Sequence, residues 1–274
     1  MGNPCSSSRL RVFVADEQSA VKLHRVRKIE EYIKKHGSVS VDDLCQHFAV
    51  SKNTIRRDLT ELEARQLVKK VYGGVMAQQD DGAPIPLSQR QLTFPEEKTR
   101  IARKAAELVN DGDIIVLDAG STTARMVEYL KTKRNLTLIT NSIPVLTNAL
   151  PHEQMHVIVT GGDVLRATNS LVGLGALAML KTLNAHTLFL AATGVSLTKG
   201  ITNSSTMELE IKRTMLDISE RVVLLADHSK FEMVSLVTVA DLKEVDLVIT
   251  DQPPVEKYFQ YCAAHAVEIV VAAQ

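Results

Sequence analysis

Apolar residues first recur at helical spacing from Lys22, where Leu23, Val26, Ile29 and Ile33 share one face and Gly37, a residue type that closes helices in a left-handed turn, ends the run. The segment SVSV over 38–41 reads as a short strand. Asp42 and Asp43 then stand where carboxylates favour a helix start, and Leu44 and Phe48 give that helix a buried stripe. Only Ala49, Val50 and Ser51 lead into a third helix, SKNTIRRDLTELEARQ over 51–66. Ser51 is its N-cap, and Ile55, Leu59 and Leu62 form its apolar face at i, i+4 and i+7. The run LVKKVYGGVMA that follows has two β-prone stretches around a Gly-Gly pair and predicts a hairpin. Helix, helix, tight turn, helix, hairpin is the order of a winged helix-turn-helix, here over residues 22–77.

The rest of the chain follows other patterns. Residues 1–21 show no sustained period and are read as a flexible extension. Residues 78–94 (QQDDGAPIPLSQRQLTF) carry two prolines, a glycine and polar residues, and are assigned to an interdomain linker. Over 95–274 a helix from Glu96 to Val109 precedes DIIVL, and LTLIT, HVIVT, HTLFLA, RVVLLA, DLVIT and VEIVV follow with helical stretches among them. Short β-branched runs alternating with helices predict an α/β domain on a mainly parallel sheet covered on both faces.

At 274 residues the chain has room for a small and a medium domain. Its formal net charge of zero hides an asymmetry: residues 22–75 hold twelve Lys/Arg against seven Asp/Glu, and from Met76 onward eighteen bases face twenty-three acids. A basic amino-terminal module on an acidic body is expected when only the first part touches a polyanion; a chance fluctuation is the alternative. Cys5, Cys45 and Cys262 lie far apart without metal-ligand spacing, so no disulfide framework, metal or cofactor is expected. No apolar run reaches the roughly 20 residues that span a bilayer, and the start has no sustained signal-peptide region. The expectation is a cytoplasmic protein with no membrane partner.

Projected at about 100° per residue, the third helix turns Asn53, Arg56, Arg57 and Thr60 away from its apolar face. Side chains of these types read DNA: Arg pairs with guanine, Asn with adenine, and hydroxyls reach bases or phosphates. The second helix of a turn motif brings them to base edges in the major groove. Candidate contacts to double-stranded operator DNA are therefore Ser51, Lys52, Asn53, Thr54, Arg56, Arg57 and Thr60, with Lys69, Lys70 and Tyr72 on the wing. An ordinary solvated face is the alternative, weakened by the tight turn, the capping serine, the hairpin and the charge surplus.

Asp118–Thr123 (DAGSTT) follows DIIVL and opens a helix, so its backbone N–H groups and three successive hydroxyls form a cradle for a phosphate. A plain N-cap role for Ser121 is the alternative. Further strand-end clusters stand at Thr140-Asn141-Ser142, Gly161-Gly162 and Gly194. In open parallel sheets such loops converge on one ligand site.

The run VSKNTIRRDLTELEARQLVKKVYGGV, preceded by GSVSVDDLCQHF, closely resembles the amino-terminal signature of the DeoR family of bacterial repressors. With DAGSTT, ADHSKF over 226–231 and ITD over 249–251, the order also resembles that family's carboxyl-terminal effector domain. The resemblance runs from about Val21 to near the end. It implies that Asn53, Arg56 and Arg57 read the operator; Asp58, which the projection places beside the apolar stripe, is read as structural, orienting an arginine or a helix end. It also implies a sensor with the fold shared by ribose-5-phosphate isomerases and coenzyme A transferases, binding a phosphorylated sugar or related metabolite. Carried over to this sequence, Gly120, Ser121, Thr122 and Thr123 hold the phosphate, and Asp118, Asn141, Glu208, Lys212, Asp227 and Lys230 surround the sugar hydroxyls. Glu208 and Lys212 also fit a routine i, i+4 helix ion pair. Ser142, Gly161, Gly162 and Gly194 complete the candidate effector site, while Thr193, where many relatives carry an aspartate, departs from the family pattern and bears on which ligand binds.

The expected function is a repressor of a carbohydrate-utilisation operon, released by a phosphorylated sugar. It acts as a homodimer or higher even homo-oligomer on repeated half-sites. The alternative is a sugar-phosphate isomerase-like enzyme fused to a DNA-binding module. No Gly-Ala-Asp-type loop is visible for it, and Thr193 removes the most natural general base.

Overall fold

A computed structural model describes residues 25–33, 36, 38–64, 67–71, 74–77 and 86–272. The extension 1–21, Leu23, Tyr72, the linker stretch 78–85 and the side chains of Lys69 and Lys70 lie outside the described residues. The chain divides into two compact units, Met1–Asp81 and Gly82–Gln274.

The first unit contains α1 (25–33), β1 (Ser38–Ser40), α2 (Val41–Phe48), α3 (Lys52–Ala64), β2 (Val68–Val71) and β3 (Gly74–Ala77), with the strands in antiparallel order β1-β3-β2. Ser40 caps α2, its Oγ accepting from Asp43 N–H at 3.0 Å, and Ala49 closes the helix at φ 51°. Ser51 opens α3 by accepting from Thr54 N–H at 3.2 Å. Val26, Ile29, Ile33, Leu44, Ile55, Leu59, Leu62, Val68 and Val75 make one core. Gly74 is required where β3 meets β1: a Cβ there would lie 2.5 Å from the Val39 carbonyl oxygen.

In the second unit a seven-stranded parallel sheet runs β15-β14-β12-β9-β4-β5-β6. Its strands are β4 (Ile114–Leu117), β5 (Leu136–Thr140), β6 (Met155–Val159), β9 (Ala185–Ala191), β12 (Ser219–Leu225), β14 (Leu247–Thr250) and β15 (Glu268–Val271). Alternating residues divide between the two faces. Ile115, Leu117, Phe189 and Val223 pack with α5 (Pro95–Ala106), α6 (Thr123–Leu130) and α7 (Ile143–Ala149). Val116, Leu188, Leu190 and Leu224 pack with α8 (Leu174–Leu180), α9 (Leu209–Asp217) and α10 (Glu256–Ala264). The chain proceeds from β4 to β5 and β6 on one side, then returns to place β9 on the other, so the strand order reverses between β4 and β9.

Two small antiparallel elements were not expected from the sequence: a hairpin of β7 (Asp163–Leu165) and β8 (Ser170–Val172), and a sheet of β10 (Gly194–Ser196), β11 (Gly200–Asn203) and β13 (Val237–Ala240). The linker assigned to 78–94 is too long at its carboxyl end. Leu87–Leu92 form a helix, α4, with Leu87 buried, because the two prolines at 84 and 86 precede the helix and leave its interior unbroken. Among the described residues no helix is long and apolar enough to cross a membrane, and no group of three or more His, Cys, Asp or Glu is placed to hold a metal ion.

Candidate functional site

On α3, Asn53, Arg56, Arg57 and Thr60 are exposed opposite the buried Ile55, Leu59 and Leu62. Three of the other predicted contacts are engaged locally. Ser51 and Thr54 hold each other at 2.9 Å at the helix start, and Lys52 reaches Asp42 at 2.6 Å on the surface. Thr60 donates to the Arg56 carbonyl at 2.8 Å. Asp58 is the inward counterpart of this face. It is 1% exposed, and its two oxygens accept from Arg25 Nε and Nη2 at 2.7 and 3.2 Å, a fork that ties α1 to α3.

In the second unit the strand order reverses between β4 and β9, and it is at the carboxyl ends of strands at such a point that α/β sheets bind ligands. The DAGSTT turn leaves β4 at this point. Gly120 fits only as glycine, since a Cβ would lie 2.5 Å from the Ala191 Cβ on β9. Thr123 Oγ1 donates to the carbonyls of Asp118 and Gly120 at 2.6 and 3.0 Å, and this hydroxyl shapes the turn. The N-cap of α6 is Thr122, without a side-chain capping bond, and the N-cap role weighed for Ser121 is not realised. Among the described residues the N–H groups of Gly120, Ser121, Thr122 and Thr123 donate to no acceptor.

Around this turn the buried polar groups form a connected set. Lys212 Nζ donates to Asp118 Oδ2 and to the Ala191 carbonyl, the latter at 3.0 Å, and Ala191 N–H donates to the same Asp118 oxygen at 2.9 Å. The routine Glu208–Lys212 helix pair is therefore not what forms. Glu208 is the N-cap of α9, and its carboxylate accepts from Ser170 Oγ at 2.8 Å and Asn203 Nδ2 at 3.0 Å. Burial pushes the Glu208 carboxyl up, but the nearby Lys212 ammonium and hydrogen bonds from Asn203, Ser170 and Thr168 outweigh it and hold the group below its ordinary range. Asn141 Nδ2 donates to the Leu171 carbonyl at 3.1 Å. Two buried acceptors, Asp118 Oδ1 and Asn141 Oδ1, have no hydrogen-bond partner among the described residues.

Other predicted site residues serve the scaffold. Ser142 caps α7, accepting from Val145 N–H at 3.3 Å. Gly161 and Gly162 are exposed at the foot of the β7–β8 hairpin with φ 64° and 104°, and a Cβ on Gly162 would lie 2.3 Å from the Val172 carbonyl oxygen. Gly194 lets β10 approach the Met233 carbonyl, which a Cβ would meet at 2.4 Å. Thr193 Oγ1 lies 3.3 Å from Asn203 Oδ1.

Asp227 at the end of β12 accepts from Ser229, and its other oxygen is 3.9 Å from Lys98 Nζ. Lys98 was not singled out by the sequence, nor was Arg90. Lys98 is 2% exposed, and its ammonium donates to the carbonyls of Arg90 and Thr93, both at 2.6 Å. Burial, reinforced by Lys230, Arg90 and Arg125 and opposed by Asp227, pushes its pKa down to about 8. The Arg90 guanidinium lies near the carboxylates of Glu208 and Asp118, which oppose the lowering effect of its burial. A separate groove of about 520 Å³ runs along the outer surface of α6 and α7, lined by Arg125, Glu128, Tyr129, Asn148 and His152 among others. It contains none of the strand-end residues, and the connected polar set is the better ligand site on chemical grounds.

The model of the DeoR-like helix-turn-helix domain matches residues 25–80, and that of the DeoR C terminal sensor domain matches 93–252. The HTH-type transcriptional regulator IolR of Bacillus subtilis (strain 168) is 40% identical over 252 residues, covering 92% of this chain and 100% of that protein. The glycerol-3-phosphate regulon repressor of Escherichia coli (strain K12) is 31% identical over 241 residues, covering 88% of this chain and 95% of that protein. Among solved structures, ribose 5-phosphate isomerase A from Methanocaldococcus jannaschii aligns with a TM-score of 0.38 and 20% identity over 51% of this chain and 55% of that one.

Proposed function

Because this chain belongs to the DeoR family of DNA-binding transcriptional repressors, we propose that it holds operator DNA through α3 and the wing and is released when a phosphorylated sugar occupies the crevice between β4 and β9. The observation that carries this reading is the DAGSTT turn itself: four N–H groups with no acceptor among the described residues, at the start of α6 and at the point where the strand order reverses. Such amides, together with the positive end of the helix, favour a phosphate. Asp118 Oδ1 and Asn141 Oδ1 add two buried acceptors, whose lack of a donor costs about 1 to 3 kcal/mol each, and sugar hydroxyls supply the missing protons.

The name of the Escherichia coli relative, a regulon repressor for glycerol 3-phosphate, is consistent with a small phosphate ester as effector. The named relatives are regulators and repressors, which supports reading this chain as a regulator. A symmetric pair of these modules reads two half-sites at once, so the working form is a dimer or a higher even oligomer.

Matched titrations test the reading. Operator binding by the full chain is followed with each sugar and its phosphate ester. The ester alone is expected to weaken binding roughly 5- to 150-fold, the range of typical allosteric couplings. An equal response to both members of every pair would refute a phosphate site.

A further inference from the structure

His228 stands in the turn after β12 and is tied to a single carboxylate. Its backbone N–H donates to Asp251 Oδ1 at 2.7 Å, and its ring Nδ1 lies 2.8 Å from Asp251 Oδ2. The Asp251 side chain, just past the end of β14, is 0% exposed. Burial pushes its carboxyl up, but the bonds from His228 outweigh burial and hold the group below its ordinary range. An ionised carboxylate only accepts, so Nδ1 carries a proton. In the neutral ring that bond fixes the tautomer and leaves Nε2 as an acceptor. Nε2 is screened from solvent and has no hydrogen-bond partner among the described residues.

Phe94 walls the same spot. Its ring meets the imidazole edge-on, with centroids 4.7 Å apart and planes at 67°. Its backbone is held at φ 49°, in the left-handed region that a bulky side chain rarely adopts. Strain of this kind persists only where the surroundings enforce it, and it gathers at ligand sites. An apolar wall also excludes water, so a polar atom beside it gains more from one well-aimed hydrogen bond and loses more without it.

Position along the sheet sets which part of a ligand arrives here. β12 neighbours β9 and β9 neighbours β4, so the turn with His228 stands two strand spacings, about 10 Å, along the strand ends from the turn that opens α6. A phosphate seated on that turn leaves the far end of a five- or six-carbon chain within reach of Nε2, while a three-carbon ester falls short. A carbon-bound hydroxyl is the donor such a chain brings, whereas a phosphate offers acceptor oxygens.

Taking the phosphosugar reading above as premise, we propose that His228 is a specificity-determining residue of the effector site: its Nε2 accepts a hydrogen bond from a hydroxyl at the end of the effector remote from the phosphate. Asp251 is the positioning residue that fixes the tautomer, and Phe94 closes the side. A site built to pair with a hydroxyl discriminates strongly against ligands that lack it, so the arrangement selects a phosphorylated five- or six-carbon polyhydroxy compound over a phosphorylated three-carbon one.

The test uses the full chain with ribose 5-phosphate, glucose 6-phosphate, fructose 6-phosphate and glycerol 3-phosphate as probes. Affinity is followed by thermal stabilisation, and the ring nitrogens by the spectrum of protein labelled with nitrogen-15 in histidine, where the His228 signals are identified by their loss in His228→Phe or His228→Gln. In the wild type Nδ1 is expected to carry the proton, and a stabilising pentose or hexose phosphate is expected to move the Nε2 signal in the sense of an accepted hydrogen bond. His228→Phe keeps a ring without the acceptor and is expected to weaken that probe at least about tenfold, with glycerol 3-phosphate changed by less than about twofold. Asp251→Asn still accepts from the His228 N–H but turns an amide donor toward Nδ1, which moves the ring proton to Nε2 and is expected to weaken the same probe by a comparable factor. Wild-type affinity in His228→Phe, or equal weakening of glycerol 3-phosphate, would overturn the role of His228. So would a proton on Nε2 in the wild type, or an Nε2 signal that a stabilising probe leaves unmoved, and the wild-type spectrum decides if His228→Phe fails to fold. If glycerol 3-phosphate alone stabilises the wild type, this inference falls while a phosphate-ester site stands. If no probe does, the phosphosugar reading falls and this inference with it.

Discussion

Replacing Lys212 by Met removes the ammonium that neutralises Asp118 but keeps an unbranched side chain of similar length. The two side chains are 2% and 1% exposed. After the change Asp118 Oδ2 keeps only the Ala191 N–H as donor, and Oδ1 has none. Breaking one partner of a buried pair costs about 3 to 5 kcal/mol. For a unit of this size, about 2 to 4 °C of melting temperature corresponds to each kcal/mol, so Lys212→Met is expected to melt roughly 6 to 20 °C lower. Asp118→Asn alone leaves a buried ammonium and is expected to be costly in the same way. The double variant Asp118→Asn/Lys212→Met removes both charges, and a neutral pair of similar volume is often as stable as the ionic one. It is expected to recover at least about half of the single-variant loss, so that the two single losses are strongly non-additive in the double-mutant cycle. Thermal and urea unfolding of the four proteins measure this directly. If the double variant is destabilised by the sum of the two singles, the pair is not coupled as described. A double variant that melts near the wild type gives a second readout: operator binding retained, response to sugar phosphate lost.

Lys98 gives a signature in pH. Its pKa of about 8 in the folded protein lies below the ordinary 10.5, so above about pH 8 the unfolded chain binds more protons than the folded one. Stability should therefore rise from about pH 8 towards 10.5, by up to roughly 3 kcal/mol. Urea midpoints between about pH 7 and 9.5 should show the rise in the wild type and not in Lys98→Met, and a flat wild-type profile would contradict the burial argued for this ammonium. In the DNA-binding unit, Arg57→Ala or Asn53→Ala should relax base preference at one or two operator positions, at roughly 1 to 3 kcal/mol per lost paired contact. Lys70→Ala should instead weaken all sequences alike and flatten the salt dependence. Binding to a set of single-base operator variants separates the two, and unchanged preference in Arg57→Ala would refute the docking of α3.

How far the molecule could be read in advance follows from where each signal resides. Local patterns carried α3, because Ile55, Leu59 and Leu62 mark its inner face and Ser51 its start. The same holds for the seven parallel strands, which read as short apolar runs along the second unit. The small sheet of β10, β11 and β13 was invisible, since strands of three or four residues show no period and β13 joins β11 from a segment far along the chain. Arg90 fell in a stretch whose prolines and polar residues suggested a linker. Lys98 looked like an ordinary residue of an amphipathic helix, yet it lies three and four residues before Ile101 and Ala102, on the stripe that α5 buries. A charge on a buried stripe was the available signal. Its partners, the carbonyls of α4 and the carboxylate of Asp227, come from tertiary structure and could not be inferred from local spacing.

The fork between Arg25 and Asp58 has an evolutionary consequence. It fastens the reading helix from behind, through Asp58 and the apolar residues beside it, while Asn53, Arg56 and Arg57 take no part in that attachment. Orientation and recognition are thus encoded at separate positions of one helix. Gene duplicates can drift in the outward letters and acquire new operators without losing the scaffold that aims them. The same separation lets a designer exchange those few letters to build mutually insulated genetic switches on a single backbone.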